Sequence, residues 1–161
     1  MCSLMLEPNK ELDKTTEEYI FMQNSLKKAE IIFIRGEENI AMNLARQICE
    51  YPWIEITQKI LLEILQKDSS PEIRVRDIII LNIDITISKE ILQEMCNKIY
   101  QKKLRWIVIG KSQIPNGVEK MAVIEIRPEI RCSISRKEGI EIEMLGPNCD
   151  GLTRKILKYR S

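Results

Sequence analysis

The sequence predicts an α/β fold: a three-layer domain with a mostly parallel sheet, helices on both faces, and a C-terminal β-hairpin followed by a short helix. Three observations lead there. The apolar runs "AEIIFIRG" (29–36), "DIIILNID" (77–84) and "LRWIVIG" (104–110) have strand length and no alternation, as in strands buried on both faces. Amphipathic helical patterns stand between them, and strand–helix alternation is the signature of a parallel sheet. The tail then changes period: "IRCSIS" and "IEIEML" alternate strictly, as half-exposed antiparallel strands do.

Taken in order, residues 9–28 read as a helix, because Leu12, Thr15, Tyr19, Met22 and Leu26 recur at helical spacing and form one partly apolar stripe. The first buried strand follows and ends at Gly36. Asn39 is the expected N-cap of the next helix, whose apolar face carries Ile40, Leu44 and Ile48 with Ala41, Ala45 and Cys49 beside them. "YPWIEI" (51–56) is a short strand, and Thr57 caps a helix bearing Ile60, Leu61, Ile64 and Leu65. After the strand at 77–84, Ser88 opens a helix with Ile91, Leu92, Met95, Cys96 and Ile99 on its core face. Lys98, Lys102 and Lys103 gather toward its C-terminal end, where cations complement the helix dipole. "MAVIEI" (121–126) is the fourth buried strand. In the tail, Ile130, Cys132 and Ile134 match Ile140, Ile142 and Met144 across an "RKEG" hairpin loop, and residues 152–159 close the chain as a short helix. Trp53 and Trp106 lie inside apolar segments and read as core. With no repeat and no long linker, the chain divides into a helical extension (1–28), an α/β core (29–126) and a hairpin-plus-helix tail (127–161) packed as one domain.

A length of 161 residues, 44% hydrophobic and 30% charged, suffices for one globular core. The 25 basic and 24 acidic residues leave a net charge of +1, so nucleic acid or an anionic membrane would need a local patch rather than a global field. No apolar run approaches the roughly 20 residues of a bilayer span, and the first residues turn polar too early for a signal peptide; the expected location is the cytoplasm. The five cysteines are odd in number and contain no CxxC spacing, which argues against a disulfide framework and a zinc site. With no histidine at all, Ser-His-Asp and Cys-His pairs, histidine-ligated metals and histidine bases are excluded together. Cys149, in "LGPNCDGL", sits beside Asp150, whose charge disfavours the thiolate, and reads as part of a turn. No cofactor is expected.

The stretch "FIRGEENIAMNLARQIC" (33–49) has the outline of a phosphate-binding loop: strand, glycine, polar link, amphipathic helix. Such a loop works through backbone N–H groups, a lysine for the β/γ charge and a hydroxyl for magnesium. The link "EENIAMN" has no second glycine, no lysine and no Ser or Thr, and Glu37 and Glu38 place negative charge where phosphate would sit. Residues 29–126 nevertheless resemble AAA+ P-loop ATPases, most closely the ATPase core of sigma-54-dependent transcription activators. Gly36-Glu37 and Leu44-Ala45-Arg46 match that family's loop opening and following helix, "IIILNID" resembles its magnesium-associated strand, and "LRWIVIG" with "KSQIP" resembles its sensor strand. The resemblance implies a P-loop NTPase-like fold with a vestigial nucleotide site at Gly36, Glu37, Asn39, Asp84, Lys111 and Ser112. It departs at the loop lysine, the loop hydroxyl and the second acid after Asp84, which is Ile85. Other parallel folds, flavodoxin-like and receiver-like among them, share the alternation.

The expected function is therefore a catalytically inactive AAA+-like module in transcription or a macromolecular machine, binding itself or an AAA+ relative. The stripe Leu12, Tyr19, Met22, Leu26 and the hairpin 130–145 are its expected contact surfaces. Two alternatives stand beside it: a nucleotide-binding NTPase with an atypical loop and magnesium on Asp84, and a nucleic-acid-binding module. The latter would use a basic patch of Lys98, Lys102, Lys103, Arg154, Lys155 and Lys158.

Overall fold

The computed structural model describes residues 10–49, 52–57, 59–60, 77–83, 105–110, 121–127, 139–146 and 152–160. Helix α1 (Glu17–Leu26) leads into β1 (Ile31–Arg35), α2 (Glu38–Ile48) and β2 (Trp53–Thr57); β3 (Asp77–Ile83), β4 (Arg105–Gly110), β5 (Met121–Ile126), β6 (Gly139–Leu145) and β7 (Thr153–Lys158) follow. The strands form one sheet in the order β2-β3-β4-β1-β5-β6-β7. Pairing is parallel from β2 through β5 and antiparallel from β5 to β7. The chain is thus α/β with a mostly parallel sheet. Its first strand lies between the fourth and fifth, which separates it from the 2-1-3-4-5 order of flavodoxin-like folds and the 3-2-1-4-5-6 order of dinucleotide-binding folds.

Register divides the sheet residues between two faces. Ile32, Ile34, Ile79, Ile107, Ile109, Ala122, Ile124, Ile142 and Met144 point to one face and join α1 and α2 in a single core with Tyr19, Met22, Leu26, Leu44 and Ile48. On the opposite face Ile31, Phe33, Ile78, Ile80, Trp106 and Val108 are equally buried. Helices α1 and α2 cover the first face; the segments predicted as the remaining helices, after residue 60 and at 88–99, lie outside the described residues. The Ile60 N–H donates to Thr57 Oγ1 at 3.4 Å, so the predicted cap is in place.

Helix α1 is shorter than its apolar spacing predicts. Asp13 accepts from Thr15 N–H and Oγ1, which lowers its carboxyl pKa, and Thr16 caps the helix by accepting from Tyr19 N–H at 3.3 Å. Leu12 therefore precedes the helix, in an antiparallel bridge to Tyr159 flanked by Asp13 N–H to the Lys158 carbonyl and Arg160 N–H to the Glu11 carbonyl. The segment covers the outer edge at the C-terminal end of β7, where an open strand would be a template for pairing. The side chains of α1 also complete α2: Tyr19 Oη and Gln23 Nε2 donate to the last carbonyls of α2, Gln47 at 2.9 Å and Ile48 at 3.1 Å. Among the described residues of the expected helical extension, Leu12, Tyr19, Met22 and Leu26 belong to the core.

The tail is corrected most. Residues 153–158, predicted as helix, are strand β7, because β6 offers an alternating edge on which Ile140 pairs Leu157 and Ile142 pairs Lys155. The predicted hairpin partner at 130–134 lies outside the described residues; β6 instead gives one edge to β5 and the other to β7.

Candidate functional site

In an open parallel sheet, ligands bind outside the carboxyl ends of the strands. Here that edge collects the ends of β1, β3, β4 and β5, three of which carry the predicted nucleotide-site segments. Asp84, Lys111 and Ser112 follow the ends of β3 and β4 directly in sequence but lie outside the described residues. Gly36 and Glu37 are placed, and their geometry is restrictive. β1 ends at Arg35 and α2 begins at Glu38, so the connection is two residues long. Gly36 turns the chain at φ +136°, and a Cβ there would stand 2.8 Å from Ile126 Cβ at the end of β5. The glycine serves both the turn and the close approach to β5.

The predicted N-cap is also displaced. Glu37 is the capping residue, without a side-chain cap bond, and Asn39 lies inside the first turn. The Glu37 carbonyl accepts from Ala41 N–H at 2.8 Å. Glu37 and Glu38 thus stand at the positive end of the α2 dipole and supply the negative charge that a bound phosphate would otherwise bring. A second negative charge about 4 Å away costs around 4 kcal/mol at a surface-like dielectric.

The remaining predicted surfaces are rearranged. Leu12, Tyr19, Met22 and Leu26 are at most 3% exposed, so the apolar stripe proposed as a contact surface faces the core. The basic residues of the tail do not form one patch, since a strand sends neighbours to opposite faces. Lys155 lies over the Phe21 ring of α1, 4.6 Å from its centre, while Arg154 points the other way to Glu143 at 2.9 Å, and Lys158 shares that second face. Their expected companions Lys98, Lys102 and Lys103 lie outside the described residues. Trp106 is core, but Trp53 is 40% exposed on β2, which stands at one end of the described strand order.

At the opposite end of the sheet, sequence reasoning missed a buried ion pair. Arg105 Nε and Nη2 donate to Asp77 Oδ1 and Oδ2 at 2.8 and 3.0 Å, and Nη1 reaches the Leu26 carbonyl at the end of α1 at 3.4 Å. Asp77 and Arg105 each begin a strand one step before its apolar run and sit opposite each other in register; that shared position was the available signal. Cys49 lies close by, donating to the Ala45 carbonyl at 3.2 Å. Burial first, and then the Asp77 charge, push its thiol up to about 12 despite the opposing effect of Arg105. It is an inert structural thiol.

Among the described residues no three or more Cys, Asp or Glu side chains cluster to hold a metal, and no helix is long and apolar enough to cross a membrane. The chain matches no family model and no curated protein.

Proposed function

We propose that the chain is a catalytically inactive, AAA+-like α/β domain with helices on both faces of its sheet, acting through contact with another protein. The observation that carries this reading is the connection from β1 to α2: two residues, one wedged against Ile126, opening on Glu37 and Glu38. Phosphate cradles need a run of free backbone N–H groups together with a cation, and this link offers two residues, with the carboxylates of Glu37 and Glu38 at the helix start. The strands that resemble the family's loop, magnesium and sensor strands are neighbours in the sheet, in the order β3-β4-β1, which supports a common ancestry of layout without a working site. In the resembling family the cores pack side by side, so the partner is a second copy or an active relative, in a regulatory setting such as transcription.

Isothermal titration with ATP and a slowly hydrolysed analogue, with and without magnesium, tests the reading. The expected result is no heat of binding in either condition. Saturable, magnesium-dependent heat would overturn it and make "GEENIAMN" a working loop.

A further inference from the structure

Helix α1 buries one face and leaves the other uncovered among the described residues. Tyr19, Met22 and Leu26 point inward, while Ile20 is 48% and Phe21 38% exposed. Along the flank between the two faces runs a depression of about 250 Å³, lined by the exposed Lys14, Ile20, Asn24 and Lys27 and floored by the buried Tyr19 and Gln23. This volume lies below the roughly 300–1,000 Å³ of small-molecule sites and suits one large side chain. Its lining contains two lysines and no carboxylate; the acids of α1, Glu17 and Glu18, occupy the first turn and do not line it. Lys14 precedes the helix and Lys27 follows it, so a cation stands at each end of the depression with Ile20 between. Neither lysine has an ion-pair partner among the described residues.

We infer that this groove docks an acidic segment of a partner protein, with one large apolar side chain seated against Ile20 between carboxylates that meet Lys14 and Lys27. The inference rests on the protein-contact reading above and names the chemistry the partner presents. Apolar contact supplies the anchor, and the two cations supply register and selection against basic or neutral segments. The tight packing of the buried face under α1 holds the groove rigid, because Tyr19 and Gln23 are tied to the end of α2.

The test uses the full chain and two fluorescein-labelled peptides, each with a central Leu-Trp pair, one flanked by aspartates and glutamates and the other by lysines. Fluorescence anisotropy should show saturable binding of the acidic peptide only. Lys14→Glu and Lys27→Glu should each weaken it roughly two- to fivefold, and Ile20→Asp should weaken it about tenfold, whereas Lys59→Glu, an exposed lysine outside the groove, leaves it unchanged. The exposed positions chosen leave the core intact, which circular dichroism checks. Absence of saturable binding, or equal binding by the wild type and the Lys14→Glu/Lys27→Glu variant, overturns the groove. A silent ATP titration alongside such a failure would leave the inactive-domain reading standing on other surfaces; magnesium-dependent ATP binding would remove that reading whatever the peptides do.

Discussion

The two halves of the sheet solve the same packing problem differently. Strands β3, β4 and β1 are dry on both faces where their segments "III", "WIVI" and "IIFI" carry apolar residues without interruption. Strands β5, β6 and β7 are dry on one face only, and they alternate: Ile124 and Ile126 inward against Glu125 outward, Ile142 and Met144 inward against Glu143. Charge follows the same division. Among the described residues the interior half holds one ion pair, Asp77–Arg105, with Asp77 fully buried. The outer half spreads its charges across a row in register, Arg35, Glu125, Glu143 and Arg154, with Arg127 also on Glu143. Glu143 is itself buried beneath its two arginines, which are 40% and 61% exposed. A buried one-to-one pair demands both partners, whereas a carboxylate under two exposed arginines keeps one when the other is lost.

The sharpest way to break this comparison is to remove one member of each kind of pair. Asp77→Ala strands Arg105 in the interior and should lower unfolding free energy by about 3–5 kcal/mol in denaturant titration; Asp77→Leu with Arg105→Met should recover most of the loss. A smaller effect belongs to the point where the halves meet. Gly36→Ala forces a side chain into the left-handed turn and against Ile126, and should cost about 2 kcal/mol by the same measurement. The interior thiol offers a pH test. Because the folded-state value of Cys49 is raised from 9.0 to about 12, its contribution is complete below about pH 9 and is lost as pH rises from there toward 12. The denaturation midpoint of the wild type should therefore fall more steeply above pH 9 than that of Cys49→Ala, and a thiol reagent should modify Cys49 only on unfolding. The least effect is expected outside: Arg154→Gln should cost less than about 1 kcal/mol, since its side chain is 61% exposed and Arg127 remains on Glu143. A loss as large as that of Asp77→Ala would erase the distinction between the halves.

The same physical division explains which elements were legible before folding. A run of apolar residues such as "IIFI" has few ways to be satisfied, and the strands at 31–35, 77–83 and 105–110 follow from it, whereas 121–126, expected as a fourth buried strand, is a strand buried on one face only. The amphipathic pattern of α2 is equally direct, with Ala41, Leu44, Ala45 and Ile48 buried as the spacing predicts. "TRKILK" is ambiguous by comparison, because a short segment with few apolar residues fits either a helix end or an edge strand. Only the alternating edge of β6 made it a strand. The stripe Leu12, Tyr19, Met22, Leu26 is legible as apolar and its burial is not, since a sequence shows which face is apolar and not what will cover it.

The candidate site divides in the same way. That the β1–α2 link lacks a lysine and a hydroxyl and carries two glutamates is written in residues 36–42, and no fold can supply those groups to the loop. Its length of two residues, the wedge of Gly36 against Ile126 and the placing of Asn39 inside the helix depended on β5 pairing beside β1. The Asp77–Arg105 pair likewise joins residues 28 positions apart in sequence through the register of β3 and β4. Local chemistry and periodicity were determined by the sequence itself, because each depends on neighbours a few residues away. Strand order, the fate of each apolar face and the partners of each buried charge were decided by the tertiary structure, because they depend on which distant segments come to share a face.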